Sequence, residues 1–335
     1  MCCDSEYTRK AINSLDGYQL NFVYFRENAT TVKSQTSNGI EMSGPSLAVI
    51  VPVLFAMVLP FRSGAAELHA PRYIPDIEYS KVDGVSLFMD ADLPASTTPT
   101  PAVIIVHGGG WVQGNRRTDV RPLFKPLSEA GFAWFSIDYR LVRDVSQFGV
   151  AIDDVEAAVR YVKSHATEFN IDPDRIALVG ESAGGQLAAM AALQGGEAAS
   201  VRAVVAFYTP TDLVSLLKNS SLIPAQIRTS VVGTPWERLV NFRLAQLSPI
   251  DNVRTNMPPF LFIHGTADPL VPFGQSTDMC ERMRQAGASC QVYPVDGAGH
   301  GIRWWTPSQQ RTADTKMVDW LKQQLAPSRT AANYY

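Results

Sequence analysis

The sequence predicts an α/β protein: a doubly wound, mostly parallel eight-stranded sheet with helices on both faces. Three observations carry this. Short apolar runs rich in branched residues alternate with helical stretches from about residue 72 onward. The central runs, such as "AVIIVHG" and "PFLFIHG", are apolar without alternation, as strands covered on both faces are. No internal repeat and no second compositional zone interrupts the series.

The elements follow in order. "IPDIEYSKV" and "VSLFMDADL" flank Asp83-Gly84, a dipeptide suited to a two-residue hairpin turn. After the Pro/Thr-rich linker "PASTTPTP" comes the strand "AVIIVHG", then a helix over 120–130 and the strand "FAWFSIDY". A long amphipathic helix is expected over 149–169, then "RIALVG" as a strand and a helix over 183–193. "RAVVAFY", "PFLFIHG" and "CQVYPV" complete the strands, with helices over 273–286 and 312–325. Residues 211–257 are longer than a plain crossover needs, and we expect them to form a helical cap over one edge of the domain, which spans 71–335.

The first 70 residues read differently. "SLAVIVPVLFAMVLPF" is uncharged, short for a membrane span and broken by Pro52 and Pro60, and "RSGAAELHA" places Gly64 and Ala66 suitably for signal-peptidase cleavage. We therefore expect an export signal over 42–70 starting at Met42, with 1–41 a non-structural extension. The segment before the apolar run lacks Lys and Arg, which leaves an uncleaved anchor or a disordered arm as alternatives. Removal of the leader would take Cys2 and Cys3 and leave Cys280 and Cys290. Helix and strand rises put these two roughly 10 Å back from the turn near Gly287, so they lie level. A helix lies near the distance limit for bridging to a sheet, so two free, buried thiols are favoured over a disulfide.

Composition bounds the partners. With 46% apolar and 18% charged residues and a net charge of −3, the chain gives no electrostatic reason to expect nucleic acid. It has no zinc-type Cys/His cluster and no phosphate-cradling G-x-x-x-x-G-K-[ST]. A small or neutral molecule is the expected partner, with no metal and no organic cofactor.

The chemistry is concentrated in four short stretches. In "RIALVGESAGG" a serine stands at a strand-to-helix junction between Gly180 and Gly184, where a Cβ would crowd the turn. The G-x-S-x-G pattern alone is weak, with ~0.1 chance matches in such a chain, but the strand before and helix after support Ser182 as a nucleophile. A hydroxyl needs a base to take its proton. Of the five histidines, His300 sits in "DGAGHGI", a glycine-rich loop after the last strand that can carry an imidazole across the sheet top. The base needs an anion to fix its tautomer; Asp268, a few residues beyond "FLFIHG", is preferred to Asp296, which is more simply a turn former. "HGGGW" closes an early strand with three glycines, a motif expected by chance only ~0.002 times, so the amides of Gly109, Gly110 and Ala183 are the expected oxyanion donors. Trp111, Trp236 and Trp304, with Trp305 and Phe148, are candidates for lining a substrate pocket. Glu181 is expected to support the elbow by hydrogen bonding.

Together "HGGGW", "GESAGG", "HGTADPLVP" and "GAGHG" resemble the alpha/beta-hydrolase superfamily, in its esterase branch related to hormone-sensitive lipase, over about residues 75–325. Glu181 stands where the lipase-like branch usually has Asp. The tryptophan after the glycines and the lean N-terminus are more similar to the compact feruloyl and acetylxylan esterases and to arylformamidases. The resemblance implies a serine carboxylesterase acting on short-chain or aryl esters, or on ester-decorated polysaccharide, in an exported protein. An arylformamidase-type amide hydrolase and a non-catalytic ligand-binding member of the fold are the alternatives. A peptidase on this sheet would usually carry a large accessory domain, and His300 argues against a non-catalytic receptor.

Overall fold

Along strand β3 (Thr100–Val106), Ala102, Ile104 and Val106 enter one apolar cluster while Val103 and Ile105 enter another, and all five are fully buried. A strand reads as a continuous apolar run when both of its faces are covered. In the computed structural model, which describes residues 70–142, 147–220 and 225–327, this two-sided burial organises the chain. The 1–41 extension and all but the last residue of the 42–70 leader lie outside the described residues.

Eight strands form one sheet: β1 (Arg72–Val82), β2 (Val85–Leu93), β3, β4 (Ala133–Ile137), β5 (Ile171–Glu181), β6 (Ala203–Phe207), β7 (Phe260–Gly265) and β8 (Cys290–Val295). Their spatial order is β1-β2-β4-β3-β5-β6-β7-β8. The β1–β2 and β2–β4 pairs are antiparallel, and the remaining pairs are parallel. Asp83 and Gly84 both take positive φ, 51° and 79°, which matches the twist of a tight hairpin between β1 and β2. Because β3 and β5 to β8 run in parallel, the loops that follow them emerge at one edge.

The helices are α1 (Arg121–Glu129), α2 (Phe148–Ser164), α3 (Ala166–Phe169), α4 (Ala183–Gln194), α5 (Leu213–Asn219), α6 (Ala225–Val231), α7 (Glu237–Gln246), α8 (Gly274–Gln285) and α9 (Pro307–Gln324). The apolar faces of α2, α4 and α8 join the first cluster, and those of α1 and α9 join the second. Residues 211–257 carry α5, α6, α7 and a short 3-10 turn. Among the described residues no helix is long and apolar enough to cross a membrane.

Three expectations are corrected. The helix expected over 149–169 divides at His165, whose Nδ1 lies 2.9 Å from the Tyr161 carbonyl and whose ring stacks on Tyr161. The last helix begins at Pro307 instead of 312. Its start is a capping box in which the Gln309 amide donates to Thr306 Oγ1 at 3.3 Å and the Thr306 amide donates to Gln309 Oε1 at 2.9 Å. Cys280 and Cys290 are bridged, with Cα atoms 5.4 Å apart. Gly287, at φ 77°, turns α8 back closely enough for the Ala288 amide to reach the Met283 carbonyl, and Arg284 donates to the Cys290 carbonyl at 3.1 Å. The pair is therefore inside bridging range.

A buried ionic knot ties the loop after β3 to the antiparallel edge. Arg116 donates from Nε to Asp90 at 2.9 Å and also pairs with Asp138 and Asp76, while Arg117 reaches Asp90 at 2.6 Å. Burial opposes ionisation of Asp90, but hydrogen bonds from Arg117, the Asp76 amide, Arg116 and Tyr73 outweigh it and hold the carboxyl well below the usual carboxylate range.

Candidate active site

One residue separates β5 from α4, and that residue is Ser182, at φ 52° and ψ −118°. A non-glycine residue there is strained by about 1–3 kcal/mol, so its surroundings must hold it in place. The Ser182 amide donates to the Phe207 carbonyl at 2.9 Å, and the Gln186 amide donates to the Ser182 carbonyl at 3.2 Å. The flanking glycines permit the crossing: a Cβ on Gly180 would stand 2.4 Å from the Gly184 carbonyl oxygen, and one on Gly184 would stand 2.3 Å from the carbonyl oxygens of Val106 and His107.

His300 reaches this serine from 118 residues away, its Nε2 lying 2.9 Å from Ser182 Oγ. Its Nδ1 lies 2.7 Å from Asp268 Oδ2. The tautomer that satisfies both contacts carries the proton on Nδ1, donated to Asp268, and leaves Nε2 to accept from the Ser182 hydroxyl. The loop holding His300 is clamped: the Ala267 amide donates to the Ala298 carbonyl at 3.0 Å, and Trp305 Nε1 donates to the Gly299 carbonyl at 2.8 Å. Asp296 is exposed and meets Thr266 instead, so the structure brings Asp268 to the imidazole.

The Asp268 carboxyl is fully buried, yet it is held well below the usual carboxylate range. Burial alone would raise it; hydrogen bonds from His264, His300 and the Val271 amide reverse the balance. Its Oδ1 accepts from the Leu270 and Val271 amides, both at 2.9 Å. His264 Nε2 lies 3.3 Å from Oδ2 and 2.9 Å from the Val271 carbonyl, while Ser276 donates to its Nδ1 at 2.7 Å. His264 therefore braces the acid. Sequence reading assigned it no role, since its partners come from α8 and the loop after β7.

Register brings the glycine motif to the same place, because Val106 at the end of β3 pairs with Gly180 on β5. Gly108 lies against the nucleophile: a Cβ there would be 3.4 Å from Ser182 Cβ. Gly109 turns at φ 113°, where a Cβ would collide with the Gln113 carbonyl at 2.1 Å. Among the described residues, neither the Gly109 nor the Gly110 amide donates to a backbone carbonyl. Ala183 is the first residue of α4, where helix amides have no intrahelical acceptor and the helix end is positive. His107 is buried, stacks on Tyr139 with centroids 4.3 Å apart and has Nδ1 2.7 Å from the Gly108 carbonyl; burial lowers its pKa and favours the neutral ring.

The aromatic candidates separate. Trp111 belongs to the core: at φ 65° its side chain turns inward, and Nε1 donates to Gln186 Oε1 at 2.9 Å. This corrects its reading as a pocket wall. Trp305 is buried as well, whereas Trp236 and Trp304 are 67% and 78% exposed. The Phe148 side chain lies outside what is described. Gln186, which sequence reading missed, is fully buried and also donates from Nε2 to the Leu247 carbonyl at 2.7 Å. It thus links the glycine loop, the elbow helix and the 211–257 segment. Among the described residues no group of three or more His, Cys, Asp or Glu side chains is arranged to hold a metal ion.

Comparison with known proteins places this geometry. The BD-FAE family profile matches residues 89–283, more than half of the chain. The chain belongs to the BD-FAE family. This membership agrees with the alpha/beta-hydrolase esterase resemblance carried by the four motifs. Esterase LipC of Mycobacterium tuberculosis is 35% identical over 225 residues, 63% of this chain and 55% of LipC. The chain spans about half the length of the curated relatives it matches. The native thermophilic esterase Est2 from the planctomycete Thermogutta terrifontis superposes with a TM-score of 0.61 at 26% identity, covering 80% of this chain and 96% of Est2. Est2 has also been solved with propionate and with butyrate bound. A truncated carbohydrate esterase from gut microbiota gives a TM-score of 0.62 at 28% identity, covering 76% of this chain and 97% of its own. As a BD-FAE member, the chain shares with both structures a mostly parallel sheet flanked by helices.

Proposed function

We propose that this chain is a serine carboxylesterase that hydrolyses short-chain or aryl carboxylic esters through an acyl-enzyme. The observation that carries the reading is the unbroken line from Ser182 Oγ to His300 Nε2 at 2.9 Å and from His300 Nδ1 to Asp268 at 2.7 Å. Ser182 Oγ attacks the ester carbonyl as His300 takes its proton on Nε2. The carbonyl oxygen becomes an oxyanion, which the amides of Gly109, Gly110 and Ala183 face. As the C–O bond to the alcohol breaks, His300 returns the proton to the leaving oxygen. Water then attacks the acyl carbon, giving its proton to His300, and the carboxylic acid departs as Ser182 is reprotonated. Asp268 stays ionised throughout and stabilises the imidazolium that forms twice in the cycle.

For the substrate, the BD-FAE membership, the gut carbohydrate esterase and the short carboxylates bound to Est2 support a feruloyl or acetylated-polysaccharide ester. The Cys280–Cys290 bridge supports an oxidising, exported setting. The test is one panel: p-nitrophenyl esters of graded chain length, methyl ferulate, acetylated xylan and N-formylkynurenine. We expect turnover of the short or aryl esters. A preference for N-formylkynurenine would replace the esterase reading by an arylformamidase, and no turnover of any member would overturn hydrolysis.

A further inference from the structure

Glu181, immediately before the nucleophile, is wholly buried, and its Oε1 has no hydrogen-bond partner. Burying a carboxyl is costly, and the side chain does not return that cost by bracing the elbow; its hydrogen-bond neighbour is the hydroxyl of Tyr208, just beyond β6. Register explains the meeting, since Glu181 pairs with Phe207 across β5 and β6. Tyr208 is also buried and stands at φ 36°, a strained conformation held by its amide donating to the Ile263 carbonyl at 2.9 Å.

The same tyrosine touches the loop of the base twice. The Ile302 amide, two residues past His300, donates to the Tyr208 hydroxyl at 3.1 Å. The Tyr208 ring meets the His300 ring edge-on, centroids 4.8 Å apart at 63°. A hydroxyl that accepts from Ile302 has its one proton left to donate, and the Glu181 carboxyl is where it goes.

We propose that Glu181 and Tyr208 are a positioning pair: the carboxyl orients the tyrosine hydroxyl, and the tyrosine holds the imidazole of His300 in register with Ser182. This rests on the serine-hydrolase reading above. The base is thus held from two sides, by Asp268 at Nδ1 and by Tyr208 against the ring face and the backbone beyond it.

The charged groups around the pair decide its pH behaviour. Burial, the largest influence, raises the Glu181 carboxyl; the Tyr208 hydroxyl and the Arg303 guanidinium lower it; Asp119, itself 2.7 Å from Arg303, raises it; the balance is about 7. The ionised carboxylate is the better acceptor for the tyrosine proton, so the pair is at full strength above that pH and weakens as pH falls through it.

The test compares Tyr208→Phe, Glu181→Leu and Glu181→Gln in the full chain by ester kinetics across pH 5–9 and by the low-field ¹H NMR signal of the His300 Nδ1 proton. Tyr208→Phe and Glu181→Leu should each lower kcat about tenfold to a hundredfold with KM little changed, and should shift or broaden the Nδ1 signal. Glu181→Gln keeps an acceptor for the tyrosine proton. It should recover most of kcat above pH 8 while flattening the change near pH 7. Wild-type kcat and an unmoved Nδ1 signal in Tyr208→Phe would overturn the proposal, and that variant decides the matter if Glu181→Leu does not fold. The NMR signal needs no turnover, so an inactive wild-type chain whose Nδ1 signal still responds to Tyr208→Phe would defeat the esterase reading and leave the positioning pair standing.

Discussion

Ser182 stands at a positive φ that only its packing sustains, and this local strain is what aims Oγ at the imidazole 2.9 Å away. Removing that oxygen should lower kcat/KM for p-nitrophenyl acetate by at least ~10³-fold and leave the melting temperature near wild type, because Ser182→Ala adds no bulk and strips no buried partner. Asp268→Asn should cost on the order of 10³–10⁴ in kcat, since the amide cannot hold the imidazolium, whereas Asp296→Asn should change it less than about twofold. Exchange of those two outcomes would move the acid to Asp296. These residues were legible because each stands in a short motif with a stated chemical need: a glycine-flanked serine, a loop histidine, an aspartate past a strand end. Gln186, His264 and Tyr208 were not. Their roles consist of which carbonyl, carboxyl or ring they meet, and those partners come from 61, 4 and 94 residues away respectively.

At the scale of elements, periodicity located all eight strands, while helix ends and one covalent bond were misjudged. The start of α9 is set by the reciprocal bonds of Thr306 and Gln309, a box whose Pro307 was not weighed as a first helical residue. The Cys280–Cys290 bridge escaped because spacing sets how far each residue lies from the turn and says nothing of how closely α8 leans on β8. Its sequence separation is 10, a loop for which chain entropy gives about 3 kcal/mol. A Cys280→Ser, Cys290→Ser double variant should lose roughly 2–3 kcal/mol in urea unfolding under non-reducing conditions. It should keep its kcat, because both residues lie on elements that present no group to Ser182. An unchanged unfolding midpoint would show that the bridge contributes no stability.

At the scale of the whole molecule, buried carboxyls set the response to pH. Glu181 and Asp314, raised by burial to about 7 and about 6, hold their protons more tightly in the folded chain than in the unfolded one. The stability linked to them is fully present below their unfolded pKa values and is lost as pH rises through about 6 to 7. Asp90 and Asp268 are depressed by their hydrogen-bond donors, so theirs is present above the unfolded value and is lost only in strong acid. The combined curve should peak on the acidic side of neutral. Glu181→Gln should remove a fall of roughly 3 kcal/mol between pH 4.5 and 8, measured by urea unfolding at each pH. A slope identical to wild type would show that the Glu181 carboxyl is not desolvated in solution.

The sequence by itself determined the sheet, its order of strand and helix, and the identity of the three side chains and the glycine motif that meet at its edge. That information is local: hydrophobic period, glycine placement and strand ends are properties of neighbouring residues. Only the tertiary structure decided that Trp111 turns into the core, that Cys280 meets Cys290, and that Glu181 acts through Tyr208 on the loop of His300. Each of these depends on the distance between segments remote in sequence, and sheet register and helix packing set that distance.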